Sequence, residues 1–245
     1  MEGNAFTIEE DRTRHIATVR FARPDNGNRV TAEELPAIGA AIHDLGSRKD
    51  VKLVLIRADG PHFTLGRVPD PPGKAPTTAL GIRNGIVEPI LDVYATVRAT
   101  PVPVVAVVQG AAKGFGCALT GACDLAIASD NATFSFPEMD HHLPPTLAIS
   151  AVLHKVSPKR ILHMVYTREE VSAADALAIG LVSQVAPRAG LDAAVDAFAA
   201  KLTDRNRAAL CGVKEYMGTA LYADPHTAAR LAANLLSTVF SSPKE

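Results

Sequence analysis

"GFGCALTGACD", Gly114 to Asp124, lies just behind the apolar run Val102 to Val108 and a short "GAAK". Small residues flank one large aromatic, Phe115, and no charge appears until Asp124. Branched apolar residues followed by glycines predict a buried strand that turns into a helix near Gly114. The N–H groups of that helix's first turn have no partners inside the helix. Together with the helix dipole, they can stabilise negative charge developing on an oxygen. Close packing of helix against strand calls for the same small residues, and for this fragment by itself packing is the simpler reading. Two phosphate-binding patterns are excluded. The dinucleotide fingerprint needs a third glycine where Leu119 stands, and the phosphate loop needs Gly-Lys-Ser/Thr where Lys113 is followed by Gly114.

Outward from this stretch the chain alternates. Phe6–Glu10 and His15–Phe21 read as two strands joined by a polar turn. Thr31 with Glu34 three residues later is a capping-box pattern for a helix ending at Gly46. "VKLVLIRAD" is a buried strand, and a loop rich in proline and glycine follows it. Ile82, Ile86, Ile90 and Val93 give residues 78–99 a helical period, and 122–128 reads as another strand. This order predicts an α/β fold with mostly parallel pairing. Farther on, Ser157 and Pro158 mark a helix start, Ser172 caps a helix that ends at Gly180, and "LVSQVAP" is a short strand. From Leu191 to Phe240 only helical patterns remain. The expected organisation is an α/β core over 1–190 and a helical arm over 191–245.

Composition narrows the functional classes. The chain has 245 residues, 25 basic and 26 acidic, for a formal net charge of −1. So even a balance gives no electrostatic reason to expect nucleic acid or an anionic membrane as partner. Cys117, Cys123 and Cys211 are an odd number without ligand spacing, as expected of free thiols in a reducing compartment. The acidic opening "MEGNAFTIEEDR" lacks the apolar core of a signal peptide, so the cytoplasm is the expected location.

Two further segments carry chemistry. "HFTLGRVPD" has Gly66 in mid-loop and could turn a backbone N–H toward a ligand. "ATFSFPEMDHHLPP" holds Glu138 among Phe134, Phe136 and Met139, followed by Asp140, His141 and His142. A carboxyl among apolar groups has its pKa raised and can carry protons. The adjacent histidines lack the i, i+4 spacing and third ligand of a helix-borne metal site, so no metal is expected.

Taken together, "FTLGR" at 63–67, "GAAKGFGCALTGACDLAIAS" at 110–129, "ATFSFPE" at 132–138 and "VSAADALAIGLVSQV" at 171–185 resemble the crotonase superfamily, the enoyl-CoA hydratase/isomerase family. The resemblance covers nearly the whole chain. It implies a core of repeated ββα units, a helical C-terminal arm packed between subunits, and a homotrimer or a dimer of trimers. It also implies acyl-CoA thioester substrates, with coenzyme A entering as part of the substrate and no separate cofactor. The thioester carbonyl would sit between the backbone N–H groups of Arg67, just after Gly66, and Phe115, next to Gly114. Phe115 departs from the family's usual glycine. Its ring would either narrow the acyl pocket or push back the helix start.

Other departures bear on the reaction. Enoyl-CoA hydratases of the family use two glutamates across a bound water. Glu138 matches the second, and Ala118 stands where the first would be. One retained carboxylate matches the pattern of enoyl-CoA isomerases, so isomerase-type proton transfer is expected above efficient hydration. Asp140, His141 or His142 could substitute for the missing acid, with Asp140 the first candidate. Val68 stands where the family often has aspartate and Thr146 where glycine often follows, so the substrate-binding loops are unlike the usual ones. The alternative is a catalytically weak paralogue that binds acyl-CoA or protein.

Overall fold

In the computed structural model, residues 4–71, 73 and 75–242 are described. Strands β1 (Phe6–Asp11) and β2 (Ile16–Phe21) form an antiparallel hairpin, Phe6 opposite Phe21. Helix α1 (Leu35–Ser47) starts later than Thr31 suggests. Glu34 does reach back to accept the Thr31 N–H at 2.8 Å, but Arg23 shares that carboxylate at 2.6 Å and the intervening residues form a turn. Strand β3 (Leu53–Ala58) pairs parallel with β2.

The helical stretch near 78–99 is real but interrupted. Helix α2 (Ala79–Ile82) opens with the Thr78 hydroxyl accepting the Gly81 N–H. A π-helical turn, Arg83–Val87, leads into α3 (Glu88–Ala99). Pro89 explains the widening, because its ring crowds the carbonyl four residues back and has no N–H to give. Ile90, Val93, Tyr94 and Val97 form the buried face of α3.

Strand β4 (Val104–Val108) leads through β5 (Ala111–Lys113) into α4 (Phe115–Ala122). Strand β6 then spans Leu125–Ser129, three residues later than the apolar pattern suggests. Asp124 sets that start: its carboxylate accepts the Val104 N–H at 2.7 Å and its own N–H donates to the Val104 carbonyl. The chain continues through β7 (Thr133–Ser135), a 3-10 helix at Pro137–His141, α5 (Thr146–Val152) and α6 (Pro158–Thr167). Next come β8 (Val171–Ser172), α7 (Ala173–Ala178), β9 (Gln184–Ala186) and α8 (Leu191–Thr203). Ser172 caps α7 as expected, accepting the Asp175 N–H at 3.1 Å.

Among the described residues one sheet runs β1-β2-β3-β4-β6-β9, parallel after the first hairpin, and a second runs β5-β7-β8. The central strands are apolar at nearly every position because both faces of the sheet are covered. Val54, Ile56, Ala106 and Val108 face one core with residues of α1, α3 and α4. Leu53, Leu55, Val105 and Val107 face the other, under Leu191, Val195 and Ala199 of α8. No helix among the described residues is long and apolar enough to cross a membrane.

Helices α9 (Arg207–Ala220) and α10 (Pro225–Ser241) bury no residue fully. Val213, Met217, Leu221, Leu236 and Phe240 stand exposed, Phe240 at 84%. Two cations attach α9 to the rest. Arg207 donates to the Gly46 and Val51 carbonyls. Lys214 donates to the Val97 and Val102 carbonyls and pairs with Asp124 at 2.7 Å. Truncation at Lys214→Ala should therefore lower unfolding free energy by about 1.5–3 kcal/mol, the range for hydrogen bonds to charged groups. Chemical denaturation checks this, and an unchanged midpoint would show that packing alone holds α9.

Candidate active site

The site grows from a close approach of two loops. A Cβ added at Gly116 would lie 2.6 Å from the Thr64 carbonyl oxygen, so only glycine lets α4 come this close to the loop after β3. The Thr64 hydroxyl in turn accepts the Gly66 N–H at 3.1 Å and fixes the bend. Gly66 has φ +99°, and its absent Cβ would sit 3.2 Å from the Lys113 carbonyl oxygen and 3.9 Å from the Phe115 nitrogen. The residue after Gly66 and the first residue of α4 are thereby held side by side.

Both present free donors. Val30 bonds to the residues on either side of Arg67: its N–H goes to the Gly66 carbonyl and its carbonyl accepts from Val68. That alternation turns the Arg67 N–H away from Val30. Gly114 spends its own N–H on the Ser135 carbonyl. Among the described residues, neither the Arg67 N–H nor the Phe115 N–H has a hydrogen-bond partner. The Arg67 guanidinium is occupied with Asp70, so its backbone and side chain point to separate tasks.

Glu138 sits on the 3-10 helix after Pro137, over the buried Phe134 and Phe136. Its Oε1 packs against the start of α4, 2.9 Å from where a Cβ on Gly114 would be. Its Oε2 is buried and has no hydrogen-bond partner. Burial pushes its pKa above the usual glutamate range, while its own backbone N–H opposes the shift. Cys117, fully buried on α4, feels the Glu138 charge, and burial raises its thiol so that it stays neutral.

Phe115 is 6% exposed, and its ring stacks on Tyr94 of α3 at 5.9 Å between centroids and 18° between planes. The aromatic among small residues thus anchors the start of α4 against a second helix. Ala118 is fully buried one turn on, its N–H donating to the Gly114 carbonyl.

Asp140 is exposed and bound by Arg168 at 2.6 Å. His141, His142 and Thr146 are exposed, and Val68 is half-buried beside Val30. The sequence reading passed over two residues, Thr64 and Tyr94. Tyr94 was detectable as the one polar-tipped residue on the i, i+3, i+4, i+7 face formed with Ile90, Val93 and Val97.

The sequence profile described as enoyl-CoA hydratase/isomerase matches residues 11–245. The chain belongs to the enoyl-CoA hydratase/isomerase family. Mouse enoyl-CoA hydratase domain-containing protein 3, mitochondrial, is 30% identical over 232 residues, 94% of this chain and 75% of that protein. A hexahydro-indene-carboxyl-CoA hydrolase of Rhodococcus jostii is 30% identical over 192 residues, 78% of this chain and 72% of its own. Among solved structures, an enoyl-CoA hydratase from Mycobacterium smegmatis superposes with a TM-score of 0.91 at 27% identity, covering 98% of this chain and 92% of its own. The α/β architecture with a parallel-dominated sheet is the crotonase fold.

In this member of the family, Gly114 combines φ +51° with contact to Glu138. Gly114→Ala should therefore cost about 1–3 kcal/mol of backbone strain and displace the carboxylate. Thermal unfolding should show a Tm lower by several degrees, and an unchanged Tm would refute the constraint.

Proposed function

We propose that this protein acts on acyl-CoA thioesters, with the thioester carbonyl held by the Arg67 and Phe115 N–H groups and Glu138 as the sole proton carrier. The observation that carries the reading is a buried carboxylate with a free oxygen, packed at the start of the helix whose first N–H is unpaired. Two donors at the carbonyl oxygen stabilise the enolate that forms when the α-carbon loses a proton and that is consumed when carbon is protonated again, each worth roughly 3–4 kcal/mol in a preorganised site. Coenzyme A enters as part of the substrate, and no separate cofactor belongs to the reading. Gly66, Val68 and Thr146 would border the thioester. The three free cysteines fit a reducing compartment, and the cytoplasm is the one this reading keeps.

The reaction type follows from Ala118. Hydration needs one group to activate water and another to protonate carbon, whereas allylic isomerisation needs one base that takes a proton and returns it nearby. Asp140, engaged by Arg168, is a weak candidate for the second acid. Isomerase-type transfer therefore ranks above efficient hydration. A second reading, an acyl-CoA-binding paralogue without turnover, gains weight from the sealed Oε2 of Glu138. Proton exchange at the α-carbon in deuterated water separates the two, since binding without exchange supports the second.

Glu138→Gln should lower turnover about 10²–10⁴-fold with thioester binding little changed. Because burial raises the Glu138 pKa, its base form arrives later than an ordinary glutamate's as pH rises. Turnover should climb with pH through that raised value and fall away below it. Restoring the acid with Ala118→Glu should raise crotonyl-CoA hydration. If the unmodified protein already hydrates crotonyl-CoA as well as a two-glutamate homologue, the isomerase ranking is wrong.

The reading includes a homotrimer or a dimer of trimers, with the exposed apolar residues of α9 and α10 against a neighbouring copy. Light scattering at micromolar concentration should give a trimeric or hexameric mass, and a monomeric mass would rule this out.

A further inference from the structure

Thr64 is fully buried and touches both segments that carry the free donors. On the side of α4, its carbonyl accepts the Lys113 N–H at 3.0 Å, and its methyl carbon lies 2.7 Å from where a Cβ on Gly116 would be. On the side of Arg67, its hydroxyl accepts the Gly66 N–H at 3.1 Å and lies 3.5 Å from the Gly66 carbonyl oxygen. One residue thus joins the neighbours of both donors. We propose that the Thr64 hydroxyl aims the Arg67 N–H at the substrate carbonyl, making Thr64 a positioning residue that acts through the Gly66–Arg67 peptide.

The need for such a hold follows from the glycine. At φ +99° a side chain on residue 66 would be strained and would crowd the Lys113 carbonyl. Glycine meets that demand, yet it is also the residue with the fewest steric limits on its backbone. Nothing within Gly66 keeps it at this angle, so the restraint comes from outside. Two planar peptides meet at its Cα. The earlier one carries the Gly66 N–H, which the Thr64 hydroxyl holds. The later one carries the Gly66 carbonyl and, on its opposite edge, the Arg67 N–H. That carbonyl accepts the Val30 N–H at 3.2 Å, which leaves the Arg67 N–H facing the other way. On either side the chain is pinned, Leu65 to the Gly27 carbonyl at 2.9 Å and Val68 to the Val30 carbonyl at 2.8 Å. Slack left by a missing hydroxyl would therefore collect at Gly66 and tilt the donor beside it. A tilted donor costs an enolate more than a neutral carbonyl, because the charge it meets is larger.

The inference rests on the two-donor reading of the site, and its test separates the two. Thr64→Val removes the hydroxyl and keeps a branched side chain, whereas Thr64→Ser keeps the hydroxyl and removes the methyl. Where valine is not accommodated, Thr64→Ala against Thr64→Ser makes the same comparison. The probe is butyryl-CoA labelled with carbon-13 at the thioester carbonyl, a saturated ester with no double bond to hydrate or move. Infrared difference spectroscopy of the bound probe reads the pull of the donors on its C=O band. The unmodified protein and Thr64→Ser should lower that band equally, and Thr64→Val should lower it less. Turnover for α-proton exchange in deuterated water should fall about tenfold to a hundredfold in Thr64→Val, with KM little changed, and should hold in Thr64→Ser. A full band shift in Thr64→Val overturns the proposal. So does a Thr64→Ser protein as impaired as Thr64→Val, since the packing of the methyl would then be what matters. If the unmodified protein binds the probe without lowering the band, the two-donor reading falls, and the hold on Gly66 is judged from its amide. Hydrogen exchange of the Gly66 N–H should be about tenfold faster in Thr64→Val than in Thr64→Ser, and equal rates overturn that hold as well.

Discussion

The backbone of Thr64 and the side-chain-free face of Gly116 meet at a distance that no Cβ could survive. The rest of the site hangs from that contact. It brings the loop ending in Arg67 beside the first residue of α4, and two N–H groups from segments about fifty residues apart come to share one space. The Phe115 donor is not special in itself, since any helix has unpaired N–H groups at its start. The second donor becomes useful only because glycine at 66 and at 116 removes the atoms that would hold the loops apart. The glycines therefore act through geometry, and the backbone they expose carries both free donors.

Much of this architecture was legible in the chain. The apolar runs within 51–59 and at 102–108 announced buried strands, and the structure buries both faces of them under helices. Ser172 located the start of α7, because a cap acts within a few residues, whereas 191–240 read as helical without being divided into α8, α9 and α10. Boundaries that depend on distant partners were not legible. The delayed start of α1 follows from Arg23 sharing the Glu34 carboxylate, and that of β6 from Asp124 engaging Val104. Neither partner is a sequence neighbour.

The same distinction applies to the site. Glu138, Gly66 and the helix start at Gly114 could be found because local sequence marks each one. The placing of Phe115 could not, since its ring is fixed by Tyr94, twenty-one positions earlier on another helix. Nor could Asp140 be separated from Glu138 by sequence: both follow Pro137, and only the fold turns one inward and pairs the other with Arg168. The question posed by the thin polar content before Asp124 has a structural answer. That carboxylate joins the start of β4, the entry to β6 and the cation of α9 at one point.

The attachment of α9 reaches further than the helix itself. The last carbonyls of any helix lack partners within it. Gly46 lies at the end of α1 and Val97 at the end of α3, and both carbonyls receive their donors from α9. The C-terminal region thus supplies, from more than a hundred residues away, the closing groups of two core helices. Ending the chain before residue 207 would leave those helices to fray from their C-termini, and the fraying of α3 would begin one turn beyond Tyr94.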